Sequence, residues 1–193
     1  MEKQSKKQKF KLKDWGFLAF VVCLVMGLAL FVGLYTPKES EVLNNNENVA
    51  TSAEGVEFAM PVEGELLKDF SDKRLKYNST LKQWESHKAV DISAKEGSPV
   101  VSVLDGTITG IETTHLKGTT VTITHKNGLV TTYSSLGSEL SVKLNDQVKK
   151  GQQIGVVSLS AKGESNDGPH LHFEVIKDGV KVNPNLYLDF GQK

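Results

Sequence analysis

The chain has 193 residues and a mass of 21.1 kDa, with 23 Lys and Arg against 23 Asp and Glu, so one main domain of ordinary size is expected. Charged residues at 24% and hydrophobic ones at 38% exclude a wholly disordered, collagen-like or polytopic membrane chain, and a single Cys excludes an intramolecular disulfide framework or a zinc ribbon. The zero net charge is a cancellation: residues 1–14 carry +4, residues 15–35 carry none, residues 36–57 carry −4, and residues 58–193 hold sixteen charges of each sign.

Residues 15–35 (WGFLAFVVCLVMGLALFVGLY) run twenty-one positions without a charge. As a helix that is about 30 Å, the depth of a bilayer core, which predicts a transmembrane span. Six lysines precede it and acids follow it, so the basic tail of residues 1–14 belongs in the cytoplasm and everything after the span lies outside it. Trp15 and Tyr35 stand at the two ends, at headgroup depth. A cleaved signal peptide is the competing reading, but Gly33-Leu34-Tyr35-Thr36-Pro37 offers no small-residue cleavage site, which favours an uncleaved anchor. Cys23 lies deep in the run behind Val21 and Val22 and reads as a lipid-facing or packing thiol. Residues 36–57 are polar and acidic and lack the apolar surface to offset the entropy of ordering. They read as a tether of roughly 25 Å root-mean-square reach.

From residue 58 onward the texture is all-β, with alternating runs such as Val100-Val101-Ser102-Val103-Leu104 and Thr119-Thr120-Val121-Thr122-Ile123-Thr124 bounded by Gly, Asn and Asp. Asn127-Gly128 predicts a hairpin, because a type I′ turn needs φ > 0 at both central residues. Lys177-Asp178-Gly179 predicts a second. Residues 75–84 offer the one short helix. The expected fold is therefore antiparallel β-sheet over residues 58–193, preceded by a single transmembrane helix.

Of five His, three fall into informative spacings. His87 and Asp91 lie four apart at a strand start, and in Gly168-Pro169-His170-Leu171-His172-Phe173-Glu174 two His stand two apart, on one face of a strand. Either pattern alone is more often plain surface than a site. Together they supply two or three imidazoles and a carboxylate, an N/O set that suits zinc and leaves a fourth position open.

With Asp105-Gly106, His125-Lys126-Asn127-Gly128, Tyr133-Ser134-Ser135-Leu136, Gly151-Gln152-x-Ile154-Gly155 and Asn183-Pro184 in order, residues 60–184 resemble the M23 (lysostaphin/LytM-like) zinc metallopeptidases, which cut peptide cross-bridges in peptidoglycan. The resemblance implies a β domain with an open groove, Zn²⁺ held by His87, Asp91 and His172, and His170 beside the metal-bound water. It also exposes a departure, since active members carry a second catalytic His where this chain has Ser135. A hydroxyl is neither an imidazole base nor a cation facing an oxyanion, so weak or no hydrolysis is expected while the metal ligands stay intact. The anchor, the tether and the Tyr-Ser-Ser-Leu strand further resemble a sporulation subgroup of the family. There the M23 fold is a docking module on the forespore membrane that meets the mother-cell stage III sporulation protein AH between two membranes. The alternative is an active endopeptidase acting on peptidoglycan peptides. The balanced domain charge gives no pull toward nucleic acid.

The remaining features carry blander readings. His115 is expected in an exposed loop, His125 as a cap or solvent-facing group at a strand end, and Trp84 as a core or rim aromatic. Residues 142–157 look like the half-barrel of biotinyl or lipoyl carriers but lack the Met-Lys-Met-like triplet that such carriers modify.

Overall fold

Runs rich in Val, Ile and Thr favour extended backbone with successive side chains on opposite faces. The computed structural model describes residues 56–126 and 128–191. The basic tail, the predicted span and almost all of the tether lie outside the described residues. Among the described residues no helix is long and apolar enough to cross a membrane.

The strands in chain order are β1 (Glu65–Lys68), β2 (Ser71–Asn78), β3 (Gln83–His87), β4 (Val90–Ser93), β5 (Pro99–Val101), β6 (Gly106–Thr114), β7 (Gly118–His125), β8 (Leu129–Leu136), β9 (Gln147–Val148), β10 (Gln153–Val156), β11 (His170–Lys177) and β12 (Val180–Val182). Two 3₁₀ turns, Lys162–Asp167 and Pro184–Leu186, complete the set. One sheet runs in the order β1-β4-β11-β8-β7-β6-β9, with β12 added on β11, while β5 with β10 and β2 with β3 form separate pairs. The pairings are antiparallel, as the alternating runs predict. Both expected hairpins are present as β7–β8 and β11–β12. Gly128 supplies φ +72 in the first, and Asp178 (φ +51) with Gly179 (φ +81) turns the second.

The expected helix over residues 75–84 is instead the β2–β3 hairpin, with Tyr77 opposite Trp84. Asn78 decides the turn: its side-chain oxygen accepts from the amides of Thr80 at 3.0 Å and Leu81 at 2.9 Å, which closes the chain on itself after β2. Lys82 then takes φ +55, a value no helix contains. Trp84, 66% exposed, belongs to this hairpin and not to the core.

Register in the sheet sorts side chains between two faces. Along β11, Leu171, Phe173 and Val175 are fully buried and point with Val90, Ile92, Val121, Ile123 and Tyr133 into the hydrophobic core. Each contributes on the order of 1.5–3 kcal/mol by leaving water. The intervening residues of β11, His170, His172 and Glu174, necessarily share the other face. His172 is the direct cross-strand partner of Asp91 on β4 and of Ser134 on β8. The period of two that builds the core thus sets out the site.

Candidate metal centre

His87 ends β3, and a two-residue step carries the chain into β4, so Asp91 meets His172 across one pair of strands while His87 leans in beside them. His87 Nδ1 donates to the Asp69 carbonyl at 3.1 Å. A carbonyl only accepts, so in the neutral ring Nε2 is left as a lone pair, and it lies 3.1 Å from Asp91 Oδ2. Both atoms are buried, and among the described residues neither has a hydrogen-bond partner, the Lys68 ammonium standing 3.3 Å from Asp91 Oδ2. Two acceptors facing each other in a desolvated place are costly, and a cation between them removes the cost. His172 Nδ1 lies 2.8 Å from Asp91 Oδ1, and its other nitrogen, Nε2, is 3.3 Å from Glu174 Oε1. A carboxylate on the far nitrogen is the usual device for aiming the near nitrogen at a metal. The residues therefore fit the zinc ion that the resemblance implies: His87 Nε2, Asp91 and His172 Nδ1 would hold it.

A second carboxylate, unforeseen in the sequence, joins them. Glu164 sits at a break in the 3₁₀ turn, with φ −133 inside it, and points Oε2 to 3.3 Å from His172 Nδ1 and 3.6 Å from His170 Nε2. His87, Asp91, Glu164 and His172 each offer a ligand atom within 4.8 Å of the others. Lys68, on edge strand β1, answers the acids with contacts to Glu164 at 2.9 Å, Asp167 at 2.8 Å and Asp91 at 3.3 Å. Lys117 at 3.3 Å and Lys181 at 2.7 Å do the same for Glu174.

The charges shift one another strongly. Burial pushes the Asp91 carboxyl up, but its bond to His172 and the His87 imidazole beside it outweigh this and hold the group well below the usual carboxylate range. Glu164 is likewise held far down, with His170, His172 and Lys68 overcoming its burial. Glu174 is held low by His172 and Lys181 against the same opposition. Burial pushes His172 down, yet Asp91, Glu164 and Glu174 lift it well above the ordinary imidazole value. Burial also disfavours the Lys68 ammonium, and its three acids reverse that and raise it.

The other sequence-predicted residues are placed differently. His170 Nδ1 donates to the Gly168 carbonyl at 2.8 Å, which turns the buried Nε2 toward Glu164. Ser135 takes φ +66 and is buried, and its hydroxyl donates to the Ser158 carbonyl at 3.1 Å. Its neighbour Ser134 lines the groove with His87, Lys117, Glu164, His172 and Lys181, around a volume of ≈ 330 Å³. His115 is exposed, as expected. His125 is not: it is 6% exposed and lies on the core face, bonded to the Asp105 carbonyl at 3.0 Å and the Thr131 hydroxyl at 2.7 Å. The period Val121, Ile123, His125 carried that signal. For Glu164 the available sign was an acidic pair, Glu164 and Asp167, just before Gly168-Pro169-His170; for Lys68 the sequence held none.

Residues 85–184 match Peptidase family M23, and the chain belongs to that family. Among individual relatives, it is 38% identical over 115 residues to stage II sporulation protein Q of Bacillus subtilis (strain 168), covering 58% of this chain and 39% of that protein. It is 34% identical over 116 residues to the peptidoglycan DD-endopeptidase ShyC of Vibrio cholerae, covering 60% of this chain and 25% of that one. The chain thus matches well under half the length of either protein. A chain of the solved SpoIIQ–SpoIIIAH pore-forming complex superposes with a TM-score of 0.59 at 31% identity, over 70% of this chain and 92% of that one.

Proposed function

We propose that this chain is a membrane-anchored, extracytoplasmic M23 domain that holds zinc, is impaired as a peptidase, and acts as a docking component of a sporulation channel whose partner is the mother-cell stage III sporulation protein AH. The observation that carries the reading is Ser135. Where the resemblance places an imidazole, this chain has a hydroxyl committed to the Ser158 carbonyl. Loss of a positioned acid–base group costs about 10²–10⁴ in rate. Similarity to stage II sporulation protein Q and to a chain of the SpoIIQ–SpoIIIAH complex supports the docking role. The anchor read from residues 15–35 would put the domain outside the cytoplasm, which under the sporulation reading is the space between forespore and mother-cell membranes.

A second reading, residual cleavage of peptidoglycan peptides, is favoured by the intact donor set and by similarity to a DD-endopeptidase. When bound, zinc lowers the pKa of its water to about 7. The chain's own contribution would be modest: His170, fixed by Gly168, turns its buried Nε2 toward Glu164, and the groove lysines Lys117 and Lys181 are spent on Glu174.

The docking reading is tested with the full chain in lipid nanodiscs and the extracytoplasmic domain of stage III sporulation protein AH. Saturable binding is expected; none, with or without zinc, would sink the reading. New amino termini released from purified peptidoglycan, and lost in His172→Ala, would instead establish the enzyme.

A further inference from the structure

Resting on the metal reading above, we propose that Glu164 is a fourth protein ligand, so that this chain holds its ion in a closed His₂-Asp-Glu site instead of leaving a coordination position open.

Geometry is the first support. Nitrogen and oxygen donors at 2.0–2.1 Å from a tetrahedral zinc ion lie about 3.3 Å from one another. Two separations in this cluster have that scale, 3.1 Å between His87 Nε2 and Asp91 Oδ2 and 3.3 Å between His172 Nδ1 and Glu164 Oε2. His172 Nδ1 and Asp91 Oδ1 stand closer, at 2.8 Å, and all four residues bring a ligand atom within 4.8 Å of the others. The second support is the pair of buried ligand atoms at the centre of the group that Glu164 enters: His87 Nε2, without a hydrogen-bond partner among the described residues, and Asp91 Oδ2, met only by the Lys68 ammonium at 3.3 Å.

Glu164 is also held there by its backbone. Gly163 N donates to the Leu116 carbonyl at 3.0 Å, and the Gly163 carbonyl accepts from Asn78 Nδ2 at 3.1 Å. Asn166 N donates to Thr80 Oγ1 at 3.0 Å. The 3₁₀ turn is therefore clamped between the β6–β7 turn and the β2–β3 hairpin, and its one non-helical residue is the one that carries the carboxylate inward. Lys68 takes the outer oxygen, Oε1, at 2.9 Å, which leaves Oε2 for the ion.

Charge balance agrees. Two neutral imidazoles and two carboxylates cancel a divalent cation, and the adjoining Lys68–Asp167 pair is neutral by itself. Such a site belongs to a structural ion, since closed four-ligand sites stabilise folds whereas catalytic ones keep a water position. It would staple the sheet, the β2–β3 hairpin and the 3₁₀ turn together at the groove.

The test uses the full-length protein in detergent micelles, stripped of metal and reloaded with one equivalent of Co²⁺. Wild type should show an intense four-coordinate visible spectrum that azide leaves unchanged. Glu164→Ala should show a weaker spectrum that shifts with azide, and its Zn²⁺ affinity by chelator competition should fall at least about tenfold, a loss that even an outer partner of a zinc ligand can cause. Glu164→Gln, which keeps the side-chain shape and whose fold is checked by circular dichroism, should lose affinity in the same direction. A wild-type spectrum that responds to azide, or unchanged affinity in both variants, would overturn the fourth ligand and leave the metal reading standing. Failure of wild type to bind Co²⁺ or Zn²⁺, or undiminished binding by His87→Ala, would overturn the metal reading and the proposal with it.

Discussion

Two histidines in this domain, His125 buried and His172 half-buried, live in opposite worlds. His125 lies on the core face of the sheet, and His172 lies on the groove face. His125 has each nitrogen matched, one by a carbonyl and one by the Thr131 hydroxyl, which stands 3.1 Å from the Tyr133 hydroxyl, itself accepting from Val103 N at 3.0 Å. Burial pushes this imidazole down, only partly opposed by its bond to the Asp105 carbonyl, so it stays neutral and structural. His172 faces three carboxylates that outweigh burial and lift it. Neighbouring charge, more than burial, decides which histidine holds a proton.

The contrast can be broken most forcefully from the core side. Phe173 is fully buried and lies 5.2 Å from the ring of Tyr133. Phe173→Ala should cost about 3–5 kcal/mol by chemical denaturation, the range for emptying an aromatic site. The groove side should respond to metal instead: at a zinc concentration 100 times its Kd the wild type should gain about 2.7 kcal/mol, and His172→Ala should gain almost nothing.

His125→Ala comes next. It strips the partners from Thr131 and Asp105 in a buried place and should cost about 1–3 kcal/mol. Zinc affinity should not change, which separates the two faces cleanly.

The smallest effect sharpens the comparison by pH. Because the native state keeps the proton off His125 while the unfolded chain takes it near pH 6.5, the unfolded state binds more protons there. The His125 contribution therefore falls as pH drops below about 6.5. His172 in the metal-free protein runs the other way: its contribution is complete below about 6.5 and is lost as pH rises through its elevated folded value. Ring-proton NMR titration of metal-free protein should show His125 titrating below the ordinary value and His172 above it.

Much of this contrast was legible in the sequence. Alternation gave the antiparallel strands, the Asn-Gly and Asp-Gly pairs gave both hairpins, and the period of two put His170 and His172 on one face. Other parts depended on tertiary structure. Residues 75–84 allow a short helix without convincing helical periodicity, and the side-chain turn at Asn78 decides for the hairpin. His125 looked like a strand end, although its parity with Val121 and Ile123 aimed it into the core. Lys68 and Glu164 are 96 residues apart, and no local pattern brings an edge-strand lysine onto a carboxylate in a turn. Local rules reach the site residues that regular strands carry, and they stop short of those that loops deliver.

On this account the groove face of β4 and β11 would hold one metal ion. Elemental analysis of the full chain, purified without chelator, tests it directly. About one equivalent of zinc, reduced to background in Asp91→Ala, is the predicted result for a site of this donor set. No zinc in the wild type, or undiminished zinc in Asp91→Ala, would contradict it.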